Sequence, residues 1–107
     1  MNLEIKNVSL LTITDVPKLD PIRVIIDDYK PGAGRIIIQC FDRAWVGYWG
    51  AMGGKTIGEF FTSCDACYLL GNLIGGNKQT KADEKYLTRI IEAVQAGIRK
   101  QAEVVTL

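Results

Sequence analysis

Residues 45–61 read WVGYWGAMGGKTIGEFF, and two different folds compete for these letters. The segment Gly50-Ala-Met-Gly-Gly-Lys-Thr56 leads from an aromatic strand pattern into a helical one, as a phosphate-binding loop does. Such a loop needs Gly, four residues, then Gly-Lys-Ser/Thr. Its backbone N–H groups cradle phosphates, the lysine reaches the outer phosphates and the hydroxyl holds magnesium. Gly54-Lys55-Thr56 supplies the tail. The first glycine would have to stand at Trp49, and Gly47 and Gly50 are both out of register. The competing reading is structural. Thr56-Ile-Gly-Glu59 fits a capping box, with Thr56 capping a helix and Glu59 reaching back to the Thr56 N–H. Gly50, Gly53 and Gly54 then turn the chain sharply from strand into helix. A weak anion site at that helix start stays compatible with this reading.

The surroundings favour the structural reading. Leu3, Ile5, Leu11 and Ile13 alternate with polar residues, and parity breaks near Val8-Ser9-Leu10, as at a bend or bulge. DVPKLDP is a connecting loop. IRVIIDDY places Ile22, Val24 and Ile26 on one strand face, with Arg23 and Asp27 on the other. KPGAG carries turn chemistry, and RIIIQCF and RAWVGYW follow as strands around a tight turn at Asp42-Arg43. Consecutive strands with short connections predict an antiparallel meander, not the βαβ unit that a phosphate loop requires. No later strand offers a magnesium-binding aspartate.

The second half is helical. TIGEFF opens a short helix, and DACYLLGNLIGG offers Asp65 as N-cap and Gly75-Gly76 as stop. From about Asp83 to Ala102 a helical period runs through Leu87, Ile90, Ile91, Val94 and Ile98. VVTL ends the chain as a fraying tail or a short extra strand. The expected fold is α+β in one domain over residues 1–107. It is an antiparallel sheet of three to four strands packed by a long C-terminal helix and one or two short helices.

Composition narrows the function. Hydrophobic residues make up 48% of the 107-residue chain, enough for a core without metals or staples. Thirteen basic and twelve acidic residues leave a net charge of +1, which argues against a polyanion mimic and against an obligate nucleic-acid binder. Glu4 and Lys6 interrupt the first apolar pattern, so no signal peptide is expected. With no apolar run of membrane-spanning length, a soluble, cytoplasmic protein is expected. There is no histidine, which removes the commonest general base and the usual partner of a nucleophilic Ser or Cys. Cys64-Asp-Ala-Cys67 lacks the second ligand pair that zinc needs, so both cysteines are expected to pack beside Phe60 and Leu69. No cofactor or metal is expected. Asp15, Asp20, Asp27, Asp28 and Asp42 are read as solvated acids near loops and strand ends.

Two clusters remain as binding candidates. Trp45 and Trp49 share one strand face and Tyr48 lies on the other. One of these faces must meet the helices. By residue type and expected exposure, Trp45, Tyr48, Trp49, Asp27, Asp28 and Tyr29 are the candidate protein contacts. Lys78, Lys81, Lys85 and Arg89 gather at the start of the last helix, diluted by Asp83 and Glu84. They are the candidate nucleic-acid contacts, set against the plainer reading of a solvated helix face.

LDPIRVIIDDYKPGAGRIIIQCFDRAWVGYWGAMGGKTIGEFFTSCDA together with YLTRIIEAVQ resembles a family of small accessory proteins encoded by temperate phages and prophages of enteric bacteria. The resemblance covers most of the chain. Family members often carry a longer segment before the final helix, where this chain has the compact GNLIGGNKQTKADE. The resemblance brings no catalytic residues with it. It implies a non-enzymatic protein that binds a host protein, such as an anti-CRISPR or other counter-defence protein acting on a defence ribonucleoprotein. Two readings compete with it: a nucleic-acid-associated regulator using the basic cluster, and a nucleotide binder using Lys55 and Thr56. A homodimer is compatible with each.

Overall fold

A computed structural model describes residues 1–105 of the chain. The elements run β1 (Ser9–Ile13), β2 (Ile22–Lys30), β3 (Ala33–Cys40), β4 (Arg43–Trp49), α1 (Ile57–Ser63), α2 (Ala66–Ile74) and α3 (Lys81–Val105). The four strands form one sheet in the order β1-β2-β3-β4, every neighbouring pair antiparallel. This is the α+β meander-then-helices fold expected from the sequence.

Alternation assigns the two faces. Ile22, Val24, Ile36, Ile38, Cys40, Trp45 and Trp49 are buried on the side that meets the helices. Ile57 and Phe61 of α1, Leu69 and Leu73 of α2, and Leu87, Ile90, Ile91, Val94 and Ile98 of α3 complete the same core. All three helices cover this one face, and α3 supplies the five residues of the predicted helical stripe. Thr80 starts α3: its hydroxyl accepts the Asp83 N–H at 3.1 Å, and Asp83 accepts the Thr80 N–H and hydroxyl in return. The helix therefore begins two residues before Asp83 and continues to Val105. No residue up to Val105 forms the extra terminal strand, and Thr106-Leu107 lie outside the described residues.

Three further expectations need correction. The first strand was expected from Leu3, but pairing begins at Ser9, opposite Ile26, although β2 continues to Lys30. Residues 1–8 carry no regular structure. The tight turn joining β3 to β4 is Phe41-Asp42, since Arg43 already pairs with Cys40. Cys67 is exposed rather than packed, while Cys64 lies against the core. No helix among the described residues is long and apolar enough to cross a membrane.

Candidate functional site

The glycine loop is tied down by its neighbours. Met52 N–H donates to the Gly32 carbonyl at 2.9 Å, and Gly32 N–H donates to the Lys55 carbonyl at 3.2 Å. The β2–β3 turn and the loop thus clasp each other through backbone. Gly32 stands at φ 86° and Gly54 at φ 84°, and a Cβ on Gly32 would sit 3.1 Å from the Gly54 nitrogen. Met52, in the middle of the loop, is buried in the core.

The start of α1 is also occupied. Thr56 Oγ1 accepts the Glu59 N–H at 3.2 Å, and Glu59 Oε1 accepts the Thr56 N–H at 2.9 Å, which completes the capping box read from the sequence. Those bonds hold the Glu59 carboxyl below its ordinary range. Asp28 on β2 accepts the Ile57 N–H at 2.8 Å. So a carboxylate of the chain itself holds a backbone donor that a bound anion would use. Asp28 is therefore not the free solvated acid expected from the sequence. Lys55 and Thr56 are exposed on the rim of this clasp.

The candidate aromatic contacts separate by face. Trp45 and Trp49, expected as contacts by exposure, are buried, and that expectation is corrected. Trp49 packs beside Phe60 at 5.4 Å between ring centres, and its indole N–H donates to Tyr68 Oη at 3.2 Å. Trp45 lies under Tyr86 and the Arg43 guanidinium, which is anchored to Asp83 at 3.2 Å. Both indoles bury large apolar area against helices, which is where such area stabilises most.

Among the described residues, no helix packs on the opposite face of the sheet. Register places Leu10, Ile25, Ile37 and Val46 side by side across all four strands, an apolar row with exposed ends at Leu10 and Val46. On one flank Asp27, Arg35 and Tyr48 face one another strand by strand. Tyr29 joins them, its ring 5.9 Å from that of Tyr48 and 5.9 Å from the Arg35 guanidinium carbon. On the other flank lie Thr12, Arg23, Gln39 and Ala44. Phe41 stands at the end of this flank, 79% exposed and at φ 58°, lining a shallow depression with Arg23, Gln39 and Ala44. Three of the six candidate contacts, Asp27, Tyr29 and Tyr48, come together on this face. Sequence reasoning missed Leu10, Ile25, Arg35, Ile37, Phe41 and Val46. The period-2 alternation of three strands contained the signal for most of them, but only the register aligns them into one row.

The basic cluster is partly assembled. Lys81, Lys85 and Arg89 lie at successive turns of α3 and line a depression of about 490 Å³ with Leu70, Glu84 and Thr88. Lys78 lies in the preceding loop, outside it. The Arg89 guanidinium donates to the Pro17 carbonyl at 2.7 Å, which fastens the β1–β2 loop to α3.

The fold is thus a helix-backed antiparallel meander whose other sheet face carries an apolar row flanked by Tyr29 and Tyr48. A model of the phage family Phage_phiTE_072 matches residues 1–84, so the chain belongs to this family of phage proteins. The chain matches no curated protein and no solved structure.

Proposed function

We propose that this phage protein acts without catalysis, by binding a host protein through the open face of its sheet. The observation that carries the reading is the row Leu10–Ile25–Ile37–Val46, aligned in register on a face that no helix among the described residues covers and flanked by Tyr29, Tyr48 and Arg35. An apolar centre with tyrosines and an arginine at its margin is the composition that protein interfaces favour. Family membership supports a phage role. Small phage proteins of this size frequently act by binding host proteins, and host defence complexes are one such class of target. The finer reading is an inhibitor of a CRISPR effector or another defence ribonucleoprotein in the cytoplasm of an enteric host. Expression of the wild-type chain in a bacterium with an active CRISPR system should restore plating of a targeted phage. A Val46→Arg, Tyr48→Ala variant should not restore it. Equal plating with and without the wild-type chain opposes the finer reading.

A second reading has its own observation, the gathering of Lys81, Lys85 and Arg89 along one depression of α3. As a nucleic-acid contact it predicts binding that weakens steeply with salt. Absence of any shift with duplex or single strands removes it. Glu84 within the same depression and the +1 net charge weigh against it.

A further inference from the structure

We infer that the protein forms a two-fold dimer by pairing residues 3–13 of two copies, edge to edge. The outer edge of β1 pairs with no strand among the described residues, because β1 is the terminal strand of the sheet. Such an edge presents unpaired N–H and C=O groups and invites a further strand. Directly before it, residues 1–8 continue without regular structure, with Leu3 87% and Ile5 98% exposed. Two almost fully exposed aliphatic side chains in one short segment form a surface in search of cover.

The segment has the sequence alternation of a strand, Leu3 and Ile5 between Glu4 and Lys6, whose charged groups lie 3.8 Å apart. Drawn out as a continuation of β1, odd-numbered Leu3 and Ile5 fall on the same face as Leu11 and Ile13. Odd-numbered Leu11 and Ile13 face α3, where a groove of about 380 Å³ runs beside the free edge and is lined by Leu11, Ile13, Gly97 and Lys100. A Cβ at Gly97 would lie 2.7 Å from Ile13 Cδ1, so α3 sits close over the inner end of β1 and bounds the groove.

A second copy fits this edge in one register. Antiparallel pairing with Val8 opposite Val8 of the other copy puts Leu3 opposite Ile13 and Ile5 opposite Leu11, all on the α3 side. Directly opposed residues share a face, so Leu3 and Ile5 enter the groove of the other copy. A two-fold axis perpendicular to the sheet at Val8 repeats the arrangement in both directions and closes the assembly. The product is one eight-stranded sheet, with helices on one side and both open faces in line on the other. On the open side of the seam Val8, half exposed in the single chain, meets Val8 of the other copy, and Leu10 lies opposite Lys6.

Light scattering on the purified chain, from micromolar to submillimolar concentration, should give twice the 11.8 kDa of one chain. Leu3→Lys with Ile5→Lys alters only exposed side chains and should give a folded protein of half that mass. In a Cys67→Ser background, Val8→Cys should form an intermolecular disulfide with oxidised glutathione, because directly opposed strand residues lie within disulfide reach. Cys67→Ser alone should not cross-link. A monomeric wild type at every concentration overturns the proposal. So does a dimer that survives the double substitution, or one that Val8→Cys fails to cross-link. All three readouts use the isolated chain, so they succeed or fail independently of any host partner.

Discussion

Asp28 Oδ1 on β2 accepts the backbone N–H of Ile57 at the first turn of α1, at 2.8 Å and across 29 residues of chain. This bond joins the β2–β3 hairpin to the glycine loop and fills the helix start with the protein's own anion. Asp28→Ala should lower stability by about 1–2 kcal/mol, the usual cost of losing a helix cap, read as a lower urea midpoint at unchanged slope. Millimolar ATP or GTP with magnesium should leave the melting temperature of the wild type unmoved. A rise that Lys55→Ala abolishes would return the loop to the phosphate-binding class.

At the other end of α1, Gln95 on α3 is buried and donates its amide to the Phe61 and Cys64 carbonyls at 3.0 and 2.8 Å. One turn on, Arg99 donates to the Thr62 carbonyl at 2.7 Å. These bonds satisfy carbonyls that a helix end leaves without partners. Gln95→Leu keeps the bulk but strands two partly buried acceptors, and should cost roughly 1–3 kcal/mol by chemical unfolding. An unchanged midpoint would show that water replaces the amide.

The pH profile should fall at both ends. Tyr86 donates its hydroxyl proton to Cys40 Sγ at 3.4 Å; that bond, with burial, raises its pKa from 10.0 to about 12. The folded chain therefore holds this proton where the unfolded chain releases it. The associated stability is full below pH 10 and is lost as pH rises towards 12. Ultraviolet titration should show a late tyrosine ionisation towards pH 12, and Tyr86→Phe should remove it. On the acid side, bonds from Thr56 and Thr80 hold Glu59 and Asp83 below the ordinary carboxylate range. Their contribution is present above that range and is lost as pH falls below it, through their lowered pKa values.

Phe41 holds a positive φ that a bulky side chain rarely adopts, and it is exposed while doing so. Phe41→Gly should relieve the left-handed conformation and raise stability by about 0.5–1 kcal/mol, net of the extra freedom glycine gives the unfolded chain. Phe41 borders the open sheet face, so on the proposed function the same change should weaken partner binding. A stabilised variant that binds as well as the wild type would remove Phe41 from the working surface.

What the sequence made legible followed local chemistry. The Leu87–Ile98 period, the Thr56/Glu59 box and the Asp65 cap are each written within a few residues, and each stands in the structure. The strand at Leu3 looked equally regular, yet regular alternation without a partner strand yields no hydrogen-bonded ladder. Trp45 and Tyr48 were separable by parity, but parity does not say which side the helices take. That choice depends on residues such as Leu73 and Tyr86, far along the chain. Asp28 looked like a free acid because its partner lies 29 residues away. The open face was the least legible feature, since it exists only once four strands are in register.

On the proposed function, the face bearing Val46 and Tyr48 makes the partner contact. Its most direct measurement is retention of a purified CRISPR effector on immobilised protein, compared between the wild type and Val46→Arg, Tyr48→Ala. Both side chains are exposed, so the variant should melt within a few degrees of the wild type. The wild type should be retained, with at least a roughly tenfold loss in the variant, the effect of removing interface anchors. Equal retention by both would remove this face from binding, and none by either would oppose a CRISPR effector as the partner.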